Sequence, residues 1–193
     1  MDRTEYTATE IAETLCASQG LELGDQSQLY FRIKYIAKRE MLSAARTIDK
    51  RGTFAFAPLE VYRAAMLNEL VGLAIDVRVL KVVLEAATST FPIPGAPVAP
   101  SLMATGARTS HGGLRDAIRG IAAGEDWFLK IWRVNPSNVA GETVRAAIVW
   151  GDLPVKDIEG FDKDSGGSPS RAHVSVDLTA IFAPLIGLVG VPE

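Results

Sequence analysis

The sequence predicts an α+β protein in two parts: an N-terminal group of helices carrying a two-stranded ribbon, then a small domain with an antiparallel sheet. Three observations predict it. From Ile33 to Leu84 the chain reads as a basic helix, a Gly-centred stretch with alternating aromatics, a Pro-started amphipathic helix and a further helix. That order is the one a winged helix-turn-helix requires. From Thr88 to Gly113 the prolines Pro92, Pro94, Pro97 and Pro100 remove amide donors and fix extended backbone. Beyond them, three segments rich in β-branched and aromatic residues read as strands. The expected division is residues 1–88 for the winged-helix domain, 89–113 for a Pro-rich linker or arm, and 114–193 for an α+β dimerisation or sensing domain.

Thr7 and Glu10 have capping-box spacing, so a first helix is expected from Ala8 to Ala17, with Ile11, Ala12 and Leu15 on its packed face. Gly20 and Gly24 are expected to bracket a loop, with a weaker cap signal at Asp25. From Gln26 to Met41 the apolar residues Leu29, Ile33, Ile36, Ala37 and Met41 define one face, and Arg32, Lys34, Lys38 and Arg39 lie opposite. Taken alone, such a charge run is as readily a solvated helix face as a binding surface. Arg46 to Phe56 suits a two-stranded ribbon turning at Gly52, because Phe54 and Phe56 alternate onto one face. Pro58 occupies a first helical position, and Glu60 in the first turn complements the helix dipole. The apolar period then continues through Val61, Ala65 and Val71, is interrupted by Gly72, and restarts at Val77, Leu80 and Leu84.

In the second half, Leu114 to Ala123 fits a short helix. Trp127–Val134 and Thr143–Trp150 read as strands separated by Asn135-Pro136 and Gly141, and His173–Asp177 as a third strand. Leu178 to Val189 reads as a helix broken at Pro184. Trp127 and Trp132 are an odd number of residues apart, which places them on opposite faces of one strand, one of them expected to meet a partner.

Composition narrows the chemistry. Hydrophobic residues make up 48% and charged residues 22% of the 193, ordinary for a globular chain. Cys16 is the one cysteine, so neither an internal disulfide nor a thiolate metal cluster is expected, and its helical position suits a buried thiol. The two histidines, His111 in a Gly/Ser loop and His173 on a strand, suggest no catalytic pair. Asp157 to Ser170 is an acidic, Gly-rich stretch, and Asp162 and Asp164 echo part of a calcium loop without its closing glutamate. These residues are expected to form a solvated loop, and no enzymatic activity, cofactor or metal is expected. The N-terminus lacks the apolar core of a secretion signal, and Ile181–Val191 is too short to span a bilayer. A cytoplasmic location without membrane association is therefore expected.

The net charge of −3 excludes indiscriminate coating of nucleic acid, but the charge is unevenly placed. Within residues 32–51, Arg32, Lys34, Lys38, Arg39, Arg46, Lys50 and Arg51 oppose only Glu40 and Asp49. Positive charge is concentrated in the segment that would meet phosphate.

Ile33 to Leu42 resembles the recognition-helix pattern of the MerR family. Arg46 with Gly52-Thr53-Phe54-Ala55-Phe56 is similar to that family's wing, and Pro58-Leu59-Glu60-Val61 to the acidic start of its third helix. Gly72-Leu73-Ala74-Ile75 followed by Val77 to Leu84 looks like its fourth helix. With Ile11-Ala12 included, the resemblance covers about the first 85 residues. It departs in a longer loop over Ser18–Ser27, in Glu40 where a Gly is usual, and in Thr53 within the wing. The long pairing helix after Leu84 and the effector-sensing cysteines are both missing.

The resemblance implies a sequence-specific, double-stranded DNA-binding transcriptional regulator. Lys34, Tyr35, Lys38 and Arg39 would enter the major groove, with Arg32 beside them, and Arg46, Lys50 and Arg51 would lie against phosphates. A homodimer is expected, because one such helix reads few base pairs; RNA polymerase or another protein is a further candidate partner. Two other readings use the same module. One is a phage-type DNA-handling protein such as a small terminase subunit or an excisionase-like protein. The other is a winged-helix protein-interaction module.

Overall fold

The structure, a computed structural model, describes residues 4–21, 23–48, 53–88, 98–104, 113–134, 143–151 and 173–192. These residues form seven helices and two small antiparallel sheets, an α+β arrangement. Two compact units result: Met1–Asp76 together with Ala180–Glu193, and Val77–Thr179. The contacts thus divide at Asp76 and Val77 rather than after Thr88, and the end of the chain groups with its beginning.

In the first unit, α1 (Ala8–Gln19) starts on the expected capping box: Thr7 Oγ1 accepts from the Glu10 amide at 3.3 Å and the Glu10 carboxylate accepts from Thr7 N at 2.7 Å. It ends at Gly20, which takes the left-handed conformation (φ 64°) so that the amide of Leu21 reaches the Cys16 carbonyl. Helix α2 (Leu23–Lys38) follows at once. The loop expected over Ser18–Ser27 is therefore mostly helical, and Gly24 lies inside α2 rather than closing a loop.

Helix α3 (Pro58–Gly72) is buried almost all round and forms the centre of this unit. Ile11, Ala12 and Leu15 of α1 and Leu29, Ile33 and Ile36 of α2 are buried with it. The ribbon is β1 (Ala44–Thr47) paired antiparallel with β2 (Phe54–Phe56), with an irregularity between Ala44 and Arg46. Tyr6 adds a bridge on the far side of β2, exchanging two hydrogen bonds of 2.8 Å with Phe56.

At the base of the ribbon, Glu60 is buried rather than merely complementing the dipole of α3. It accepts from Ser43 N at 3.0 Å and from Arg63 Nη1 at 2.6 Å. Burial pushes its pKa above the usual carboxylate range, against the opposing pull of Arg63 and the Ser43 amide. A raised folded-state pKa means that the folded chain holds this proton more tightly than the unfolded one. The associated stability is complete below the unfolded carboxylate value and is lost as pH rises through the higher, folded value. Relative to Glu60→Gln, the wild type is thus expected to gain stability as pH falls from neutral through the carboxylate range. Urea unfolding of both proteins across pH checks this; a difference between them that is independent of pH contradicts it.

Two helix ends use left-handed residues other than glycine. Glu40 (φ 58°) follows α2 and Ala74 (φ 56°) follows α3, and each closes a reversed turn: Met41 N donates to Ile36 O and Ile75 N to Leu70 O. Glu40 thus occupies a conformation that suits glycine. Gly72, which the apolar period marks as the interruption, is still helical; the chain reverses at Ala74. A Cβ in this conformation costs roughly 1–2 kcal/mol, partly offset by the entropy that glycine loses on folding. Glu40→Gly and Ala74→Gly are each expected to stabilise by about 0.5–1 kcal/mol in chemical denaturation.

The C-terminal helix, α7 (Leu178–Val189), runs through Pro184 rather than breaking there. Pro184 lies on its exposed side, while Phe182 and Leu185 are buried. Phe182 meets Tyr62 edge-on at 5.4 Å, and the Tyr62 hydroxyl donates to Gly190 O at 2.7 Å. This contact explains why residues 180–193 belong to the first unit.

The second unit is a three-stranded sheet in the order β4-β3-β5: β3 (Trp127–Val134) is central, flanked by β4 (Thr143–Trp150) and β5 (His173–Asp177). Helices α4 (Val77–Thr88) and α6 (Leu114–Ala122) pack on it. Helix α4 is the one that the resemblance assigns to the N-terminal module; its face of Leu80, Val83, Ala86 and Ala87 is instead buried in this unit, where it packs on β4. The Pro-rich stretch is also more than a linker. Pro100–Ala104 forms a short helix, α5, against α6, and Ala99 and Leu102 are buried.

Trp127, Leu129 and Ile131 share one face of β3, and Phe128, Lys130 and Trp132 share the other. Both tryptophans are buried within the chain (0% and 5% exposed), so neither is left facing a partner as expected. Lys130 is tolerated on its face because its ammonium donates to Ser175 Oγ at 2.8 Å and lies 5.1 Å from the Phe128 ring. Asn135-Pro136, Gly141 and the acidic stretch Asp157 to Ser170, with Asp162 and Asp164, lie outside the described residues. No helix among the described residues is long and apolar enough to cross a membrane.

Candidate nucleic-acid interface

The candidate site is the outer face of α2 and its approach to the ribbon. Leu29, Ile33 and Ile36 anchor the inner face against the core, which fixes the rotation of the helix. Residues at intervals of four then form two outward rows, exposed except at the half-buried Tyr30. One runs Tyr30, Lys34, Lys38 along the side nearest β2; the other runs Phe31, Tyr35, Arg39 along the outer crest.

Lys34, Tyr35, Lys38 and Arg39 are thus brought together on one exposed surface, as the sequence predicts. Arg39 lies in the turn just past α2 and stacks over the Tyr35 ring at 5.3 Å. The Lys34 ammonium lies 5.7 Å from the Tyr30 ring. Such contacts hold the cations in place while leaving their outer donors free. Among the described residues, Lys34, Lys38 and Arg39 take part in none of the ion pairs.

Two of the expected cations are used differently. Arg32 is half-buried at the side of α2 and reaches Asn68 Oδ1 of α3 at 3.5 Å, so it joins the two helices. Arg46 on β1 is bound to Glu5 through Nε and Nη2, at 2.6–3.1 Å. This pair holds the Glu5 carboxyl below its ordinary pKa, chiefly through the hydrogen bond. The charge that Arg46 presents to the surface is therefore already compensated. Lys50, Arg51 and Gly52 lie outside the described residues.

Beside the predicted Tyr35, the structure adds two exposed aromatic residues that the charge pattern does not mark, Phe31 and Phe54. Phe31 is 66% exposed, Tyr35 40% and Phe54, at the edge of the ribbon, 45%. Their signal in the sequence is the spacing of Phe31 and Tyr35, four apart and opposite Leu29, Ile33 and Ile36.

Elsewhere Cys16 is buried, His173 is exposed on β5, and His111 lies outside the described residues. Among the described residues there is no group of three His, Cys, Asp or Glu side chains that could hold a metal ion. The chain matches no protein-family model, and no curated protein or solved structure matches it either.

Proposed function

We propose that the first unit is a winged helix-turn-helix that binds double-stranded DNA, and that the protein is a sequence-specific transcriptional regulator acting as a homodimer. On this reading α1 and α2 are the helix-turn-helix pair, α2 is the recognition helix and the β1–β2 ribbon is the wing. The observation that carries it is the exposed face of Lys34, Tyr35 and Lys38, continued by Arg39 in the following turn, on a helix whose opposite face is locked into the core. A helix so mounted fits the major groove, where lysine and arginine donate to guanine edges and phosphates, and Phe31 and Tyr35 offer apolar surface to thymine methyl groups. From Gln26 to Lys38 no carboxylate alternates with the cations, as it would on a solvated salt-bridged face.

The reading is tested by selecting duplexes from a random library with the full chain, then measuring anisotropy of the selected and a scrambled duplex over a salt series. Regulator-type binding predicts a preference of at least about a thousandfold for the selected duplex. Equal affinity for both, or no binding at low salt, overturns it. Solution mass, measured with and without the selected duplex, separates the dimer from a larger ring.

A further inference from the structure

Beside the Tyr30–Lys34–Lys38 row the first unit holds a cleft of about 320 Å³, bounded by α2, the start of α1 and the ribbon. Its lining is mostly apolar, with Tyr30 and Ala37 on one wall and Phe54 and Phe56 on the other, and Thr7, Thr9 and Thr53 add hydroxyl groups. Phe56 is fully buried and its backbone is bridged to Tyr6, which fixes the inner part of this wall. A cleft of this size stands at the lower end of the range for small-molecule sites, roughly 300–1,000 Å³.

The polar groups at its rim give it a sign. Lys34 and Lys38, one helical turn apart, both line it, and among the described residues no carboxylate does. Two ammonium groups without ion-pair partners beside an apolar slot make a neutral apolar ligand a poor match, since it would leave them no counter-charge. A fully hydrated anion is equally poor, since it would leave the aromatic walls uncovered. We propose that this cleft binds a small aromatic anion, its ring between the Tyr30/Ala37 and Phe54/Phe56 walls and its carboxylate or phosphate at Lys34 and Lys38.

Lys34 and Lys38 also belong to the face assigned to DNA, so an occupied cleft withdraws two cations from the duplex. The ligand would therefore act as a negative effector of DNA binding. This second half rests on the DNA-binding reading; occupancy of the cleft does not.

Calorimetric titration of the full chain, without DNA, compares 2-naphthoate with the neutral 2-naphthol. One 2-naphthoate per chain is expected, bound at least about tenfold more tightly than 2-naphthol, since charge-assisted hydrogen bonds contribute about 1.5–3 kcal/mol. In the Lys34→Gln/Lys38→Gln variant the two probes are expected to bind alike. Phe54→Ala, at an exposed position that leaves the core intact, is expected to weaken both. Adenosine monophosphate is the second anion: tighter binding than 2-naphthoate identifies the ligand class as a nucleotide, and weaker binding as an aromatic acid. Equal affinity for 2-naphthoate and 2-naphthol, an acid preference that survives the double substitution, or no binding of any probe at millimolar concentration overturns the proposal. With a duplex present, saturating 2-naphthoate is expected to raise the apparent Kd for DNA about tenfold. Loss of this effect with ligand binding intact removes the effector role alone.

Discussion

Replacing Lys34, Lys38 and Arg39 together by alanine is expected to lower duplex affinity by two to three orders of magnitude near 0.1 M salt. Each cation that neutralises a phosphate releases condensed counterions, and the salt slope for a duplex changes by about 0.9 for each contact. Removing three contacts should flatten the slope by about 2.7, so that wild type and variant converge toward 1 M salt. All three side chains are exposed and bear no part of the core, so the thermal midpoint should barely move. This combination of a large change in affinity, a flatter slope and unchanged stability distinguishes a binding face from a solvated helix face. An unchanged slope would sink the assignment of α2. Arg32→Ala serves as the contrast. Its guanidinium joins α2 to α3, so its loss should appear in stability before it appears in the slope.

Gly120→Ala is expected to destabilise the second unit by about 3 kcal/mol, lowering the midpoint by about 10 °C. Helix propensity alone points the other way, since alanine in a helix interior is favoured over glycine by up to about 1 kcal/mol. Packing decides the sign. A Cβ at Gly120 would run into Trp127 Nε1 and Glu125 Oε2, and would stand 2.9 Å from Trp127 Cε2. Neither neighbour can yield cheaply. Trp127 is fully buried and donates to Glu125 at 3.1 Å, and the same carboxylate accepts from Ser101 N and Oγ, both at 2.6 Å. Moving the indole therefore loosens the contact between α5 and α6 as well. Gly72→Ala is the control: nothing lies within 4 Å of its added Cβ, and its effect should be neutral or slightly stabilising. Differential scanning calorimetry of the two variants decides the matter; equal midpoints would refute the packing argument.

Elements with a strong local signal were legible in the sequence. The Thr7/Glu10 box, Pro58 as a first helical residue and the alternation of Phe54 and Phe56 each depend on neighbours a few residues apart, and the structure shows each where it is expected. The strands at Trp127, Thr143 and His173 follow for the same reason. Less legible was anything decided by residues distant in sequence. The apolar period of α4 says that one face packs, but not against which element, so its place on β4 was hidden. Arg32 and Arg46 carry the same formal charge as Lys34, and only their partners Asn68 and Glu5 separate them from it. Nothing in the charge pattern marks Phe31, and its outward direction emerges only once Leu29, Ile33 and Ile36 are seen packed. The cleft could not be read at all, since its two walls come from segments on either side of the ribbon turn.

The Arg46–Glu5 pair bears on how the ribbon would meet a phosphate. On the proposed DNA-binding reading, Glu5 is an anion of this chain that occupies the donors Arg46 would offer a phosphate. A phosphate that takes its place exchanges one anion for another, and the carboxylate swings into solvent instead of a counterion being released. Arg46 would then add orientation to the complex while contributing little to its salt dependence. Counting phosphates from the salt slope would miss this residue, and Glu5→Gln would reveal it by steepening that slope.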